Sequence, residues 1–198
     1  MKRKSLNNIQ FTVYASFWIV LVFSVILLPL RWVAGWLCSV LIHELGHLAG
    51  ILLFKLPVYS VSVKLTGIYI GTSEMLPSQE AIVAAMGPAI GLLPVLFARC
   101  FPCTAICAVL QFGFNALPIM GFDGGRVLHA ILRTFLSESN AFRCMRGLQI
   151  LLLVVVLILL MHIRRNTLAV LAVIMLSLRI VAVTFPCKRG KQIVQWSK

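Results

Sequence analysis

Long apolar runs, broken by short polar or basic stretches, dominate the chain. A helix needs about 20 apolar residues to cross the hydrocarbon of a bilayer. Six runs approach that length: residues 11–30, 32–54, 80–98, 104–119, 148–163 and 168–185. The fourth is short and turns polar at its end, which predicts a broken helix lining a cavity rather than a plain lipid-facing span. Between residues 55 and 77 the pattern changes. In LPVYSVSVKLTGIYIGTSEML, β-branched residues alternate with Ser, Thr and Tyr, and Thr66-Gly67 can turn the chain. This predicts a β-hairpin at the cytoplasmic surface. It either presents an edge to an extended peptide or only connects two spans; the pattern leaves both open. The expected fold class is an all-α membrane protein with about six transmembrane helices and a short β-hairpin between the second and third. No polar stretch is long enough to stand apart from the spans, so residues 1–198 are expected to form a single domain.

Composition supports the membrane reading. Hydrophobic residues make up 61% of the chain and charged residues 12%, against about a quarter charged in soluble domains. The N-terminal MKRKSLNNIQ precedes a run too long for a signal peptide, with no small-residue cleavage site, so a retained first span is expected. The net charge of +13 gathers at the ends of the apolar runs. That favours anionic lipid as partner and speaks against nucleic acid, which needs a basic face on a soluble fold. With the N-terminus inside, the cytoplasmic side receives Lys2, Arg3, Lys4, Lys55, Lys64, Arg126, Arg133, Arg143, Arg146, Lys188, Arg189, Lys191 and Lys198. Arg31, Arg99, Arg164 and Arg165 fall outside, and Arg179 snorkels from the sixth span. This imbalance predicts that both termini are cytoplasmic.

Against that background, LIHELGHL at residues 41–48 stands out, because ionisable groups are costly within a span. His43 and His47 are at i and i+4, hence on one helix face, where both imidazoles can reach a tetrahedral Zn²⁺. Glu44, between them in sequence, is placed to act as general base on a water. The alternative is a buried histidine pair hydrogen-bonded to neighbouring helices. Catalytic zinc usually has three protein ligands, and the chain has only five acidic residues: Glu44, Glu74, Glu80, Asp123 and Glu138. Asp123, in FNALPIMGFDGGRVL, lies in an apolar setting and is followed by two glycines that would let the backbone turn tightly. It is the best third ligand, although Asp-Gly-Gly alone also reads as a simple turn.

HELGH on a membrane helix followed by NALPIMGFDGG resembles the site-2 protease family of intramembrane zinc metalloproteases. The family's downstream pattern NxxPxxxxDG is matched by Asn115, Pro118, Asp123 and Gly124. The resemblance implies that His43, His47 and Asp123 bind zinc, that Glu44 activates water, and that Asn115 acts near the bound substrate. EAIVAAMGPAIGLL, residues 80–93, resembles the family's Gly-Pro segment. Gly91 stands where that segment usually has asparagine, which leaves Gly87 and Pro88 a structural role. The likeness covers roughly residues 35–135, implies a catalytic core at about 32–136, and leaves 11–30 and 148–185 as accessory spans. Without a PDZ-like insertion or a nucleotide-sensing tail, the chain resembles the minimal and sporulation-type members.

The implied function is cleavage of a peptide bond within or near a transmembrane segment of a membrane-bound substrate, in a bacterial cell membrane, with regulation by a membrane partner or by substrate presentation. A silent relative that binds transmembrane helices and a metal transporter are the alternatives. A transporter should spread polar sites along a path, and a silent binder should lack Glu44 or a ligand. Other residues carry less. Cys100 and Cys103, in CFPC, fall outside the membrane, where a disulfide can form. Cys38 and Cys107 are expected to pack in spans. His129 is expected to have a packing or surface role, and His162 no chemistry.

Overall fold

The structure, a computed structural model, describes residues 10–64 and 67–162. In chain order the elements are β1 (Gln10–Val13), α1 (Ala15–Leu27), α2 (Leu30–Leu53), β2 (Val58–Lys64), β3 (Gly67–Thr72), α3 (Pro77–Gly91), α4 (Pro102–Asn115), α5 (Asp123–Phe135) and α6 (Glu138–His162). A 3₁₀ turn at Leu93–Phe97 extends α3. The architecture is helical with one small sheet, as the apolar pattern predicts.

Among the described residues, three segments are long and apolar enough to cross a membrane: Leu30–Leu53, Pro77–Phe97 and Glu138–Val156. Helices α1 and α4 are apolar but shorter. At 1.5 Å per residue, the 13 residues of α1 rise about 20 Å, less than the roughly 30 Å hydrocarbon thickness. The expected first span is therefore cut at its start, where Phe11–Val13 belong to β1. The fourth run also breaks as expected: α4 ends at Asn115, and an irregular loop leads to α5. The fifth run, as far as His162, belongs to α6, which begins much earlier, at Glu138. The sixth run lies outside the described residues.

The hairpin forms between β2 and β3, which pair antiparallel, with Val61 opposite Ile70 and Val63 opposite Ile68. Its outer edge is already occupied on one side. β1 pairs parallel with β2, Phe11 opposite Val61, giving the order β1-β2-β3. Hydropathy hides β1 because its residues continue into an apolar helix. The entry to the sheet is set at the end of α2. Lys55 takes a left-handed φ of 53°; its N–H reaches the Leu52 carbonyl at 2.9 Å and the Leu56 N–H reaches Ile51 at 3.1 Å. These bonds close the helix and turn the chain toward β2. Helix α3 begins at Pro77, and the Gln79 side chain accepts from the Leu76 N–H at 3.1 Å.

The burial pattern of α2 is inverted relative to a soluble helix. Its buried face holds Gly35, Ser39, His43, Gly46, His47 and Gly50, together with Val33 and Ile51. Leu41, Leu45, Leu52 and Leu53 point outward, all more than half exposed. Small and polar residues at a helix contact with leucine outside is what packing in lipid selects, since tails solvate leucine as well as protein does. The small residues let α2 pack closely on α3 and α4. A Cβ on Gly46 would overlap the Met86 carbonyl of α3, and one on Gly50 would sit 3.1 Å from Val83 Cα. Ser39 adds a hydrogen bond across the α2–α4 contact, donating to Gln111 at 2.7 Å.

Candidate metal centre

His43 and His47 occupy successive turns of the buried face of α2, and Asp123 is the first residue of α5. Their donor atoms converge. Asp123 Oδ2 lies 2.9 Å from His43 Nε2 and 3.2 Å from His47 Nε2; the two Nε2 atoms are 3.2 Å apart. All three residues are buried. Residues far apart in sequence thus meet at one point. Among the described residues this is the one group of three metal-ligating side chains.

A backbone group orients one ligand. His47 Nδ1–H donates to the Val83 carbonyl of α3 at 2.9 Å. With the proton on Nδ1, the Nε2 lone pair faces the carboxylate and the other histidine. Electron-pair donors turned on one point repel each other unless a cation sits among them. A tetrahedral ion with bonds of about 2.0–2.2 Å places its donors roughly 3.4 Å apart, so a shift of a few tenths of an ångström accommodates it. The donor set therefore fits a metal ion, and two nitrogens with one oxygen suit zinc.

Two glycines of α3 make room for the imidazoles. A Cβ on Gly87 would overlap the His47 ring, and one on Gly91 would lie 3.1 Å from His43 Nδ1. Sequence reasoning gave Gly87 a structural role and read Gly91 as a missing asparagine. Their spacing of four, matching the i, i+4 spacing of the histidines, was the available signal. Gly124 and Gly125 also differ from expectation. Both are in the first turn of α5, and among the described glycines only Gly67 and Gly121 have φ in the left-handed region. The turn before α5 falls at Gly121. Gly124 and Gly125 instead serve close approach: side chains there would overlap the carbonyls of Ala116 and Ile119. This lets α5 start hard against the end of α4 and carries Asp123 to the histidines. The carboxylate comes from the start of α5.

Glu44 is half-buried and lines a small chamber of about 30 Å³ with His47, Ile51, Ile68, Ile70, Met75, Val83 and Arg126. It stands beside the donor cluster and next to the hairpin. On the other side of Asp123 lies a groove of about 400 Å³, walled by Ala85, Pro88 and Ala89 of α3, Phe112 of α4, Ala116, and Gly124, Val127, Leu128 and Ile131 of α5. Asn115, half-buried, ends α4 one residue before Ala116 in the groove wall. Arg133 Nη1 meets Glu80 Oε2 at 3.3 Å and ties α5 to the first turn of α3.

The remaining residues stay apart from the cluster. His129 is buried in α5, its ring tilted by 54° against Phe142 with centroids 4.6 Å apart, and its Nε2 has no hydrogen-bond partner among the described residues. Burial holds its imidazole below the ordinary range. Cys100 and Cys103 are free thiols, as are Cys38 and Cys107.

No family model matches the chain, and no curated protein does. Among solved structures it is similar to the site-2 protease from Methanocaldococcus jannaschii. The TM-score is 0.65 at 14% identity, and the match covers 93% of this chain and 95% of that one. At that identity the likeness speaks for the backbone arrangement. The chain has the fold of a site-2 protease.

Proposed function

We propose that the chain is an integral-membrane zinc metalloprotease of the site-2 type, hydrolysing a peptide bond within or near a transmembrane segment of a membrane-bound protein. One observation carries the reading. His43 and His47, on a helix long and apolar enough to span a membrane, meet Asp123 of α5, and the three bring their donor atoms together beside Glu44. Buried ionisable groups in such a helix cost several kcal/mol unless paired or bound to a metal, and this cluster satisfies that requirement at a single point.

His43, His47 and Asp123 would hold the ion. When bound, zinc supplies Lewis acidity, polarising the scissile carbonyl and making water a nucleophile near neutral pH. Glu44 takes the proton from the attacking water and delivers it to the departing amine. The Val83 carbonyl keeps His47 in the correct tautomer throughout. The apolar groove beside Asp123 receives substrate side chains, and Asn115 lies near its wall. A transmembrane helix shields its own peptide bonds, so the substrate unwinds locally before attack, which favours segments with helix breakers. Both termini in the cytoplasm, anionic lipid contact and a regulatory membrane partner complete the proposal.

The test is Glu44→Gln, which keeps the ligands and removes the base. Zinc content should match that of the parent, while cleavage of a co-expressed membrane substrate falls about 10²–10⁴-fold. A Glu44→Gln protein that cleaves at the parental rate would contradict the mechanism.

A further inference from the structure

Asp123 has two carboxylate oxygens, and the cluster uses one. Oδ2 faces both histidines, whereas Oδ1 faces the guanidinium of Arg126, one turn along α5, with Nη1 at 3.7 Å. Arg126 also lines the 30 Å³ chamber that holds Glu44 and His47. The chamber's other lining residues are Ile51, Ile68, Ile70, Met75 and Val83, so Arg126 is the permanently charged cation in its lining. From this geometry we infer that Arg126 is a positioning residue: it holds Oδ1 away from the metal and keeps Asp123 a one-oxygen ligand. The inference rests on the proposed zinc site.

The physical need is specific. A catalytic zinc site keeps a position free for water or substrate, and a carboxylate can bind through one oxygen or two. If Oδ1 swung onto the ion it would fill that position. An arginine at i+3 opposes the swing because its charge is permanent and its planar fork suits a carboxylate. Partners of this kind, one step out from the ligand, typically tune metal affinity 10- to 100-fold. The i+3 spacing places the guanidinium on the same face of α5 as the carboxylate. Sequence reasoning had assigned Arg126 only to the cytoplasmic charge excess.

The experiment measures Zn²⁺ affinity by chelator competition, and the visible spectrum of the Co²⁺-loaded protein, for the purified full-length parent, Arg126→Gln and Arg126→Lys. In Arg126→Gln, zinc should bind at least as tightly as in the parent, because the freed oxygen adds a donor and a nearby positive charge is removed. Its cobalt bands should lose intensity as Asp123 adds a second oxygen and the four-coordinate geometry is lost. Arg126→Lys, which keeps the charge without the fork, should fall between the two. An unchanged cobalt spectrum in Arg126→Gln overturns the role of Arg126 while leaving the metal site intact. A parent that binds neither ion overturns the metal site and this inference together. If Arg126→Gln yields no folded protein by circular dichroism, Arg126→Lys decides. Weakened cobalt bands in a folded Arg126→Lys protein support the inference, and a parental cobalt spectrum rejects it.

Discussion

On one side of Asp123 the helices touch backbone to backbone; on the other they leave a groove of about 400 Å³. The close side is the α2–α3 contact, where a side chain added at Gly46 or Gly87 would overlap its neighbours and one at Gly50 or Gly91 would be tightly crowded. The open side lies between α3, α4 and α5, and its walls include Ala85, Ala89, Ala116 and Gly124. Both regions are built from small residues, yet small residues do opposite things in them. In the first they bring helices together so that imidazoles are held from behind. In the second they keep space. Helix α3 takes part in both, with Gly87 facing His47 and Ala85, Pro88 and Ala89 facing the groove. The donor cluster and the groove therefore lie against two faces of one helix.

The comparison can be broken most severely from the close side. Gly87→Ala places a methyl group where the His47 ring lies, so the ring must leave its position or α3 must move. We expect zinc affinity to drop at least about 100-fold, with cleavage lost in step; metal analysis of the purified variant measures it. Retained zinc at parental affinity would show that the contact is looser than described.

From the open side the effect should be smaller and of a different kind. Ala89→Leu fills part of the groove without touching the donor atoms. Zinc content should stay at the parental level while turnover of a membrane substrate falls about 10-fold or more. Loss of zinc in this variant would mean that the two faces of α3 are not independent. Smallest of all should be Ser39→Ala, which removes the hydrogen bond to Gln111 across α2 and α4. Interhelical hydrogen bonds in membranes contribute about 0.6 kcal/mol on average. A slight fall in the unfolding midpoint in detergent, with zinc and turnover unchanged, is the expected result.

The sequence announces some of this and hides the rest for physical reasons. His43, Glu44, His47 and Asp123 are legible because charge is expensive in an apolar run, so each stands out from its neighbours. The hairpin is legible from its alternation around Thr66-Gly67. β1 is not, because Phe11–Val13 carry no signal separating an added strand from the start of a helix. The Val83 carbonyl that orients His47 is a backbone group and has no side-chain signature. Gly87 and Gly91 are visible as glycines, but their use depends on which residues α3 meets. The glycines after Asp123 suggested a turn, since glycine is equally at home in a turn and at a close contact. Only the packing of α5 against the loop after α4 distinguishes the two.

The central claim is that His43, His47 and Asp123 hold one metal ion. The most direct measurement is the zinc content of Asp123→Ala beside that of Glu138→Ala, both purified as full-length chains. Glu138 begins α6, is exposed and lies outside the cluster. The account predicts that Asp123→Ala loses zinc and cleavage together, because two histidines alone leave the ion short of its usual three protein ligands, while Glu138→Ala keeps both. Full zinc occupancy in Asp123→Ala would contradict it.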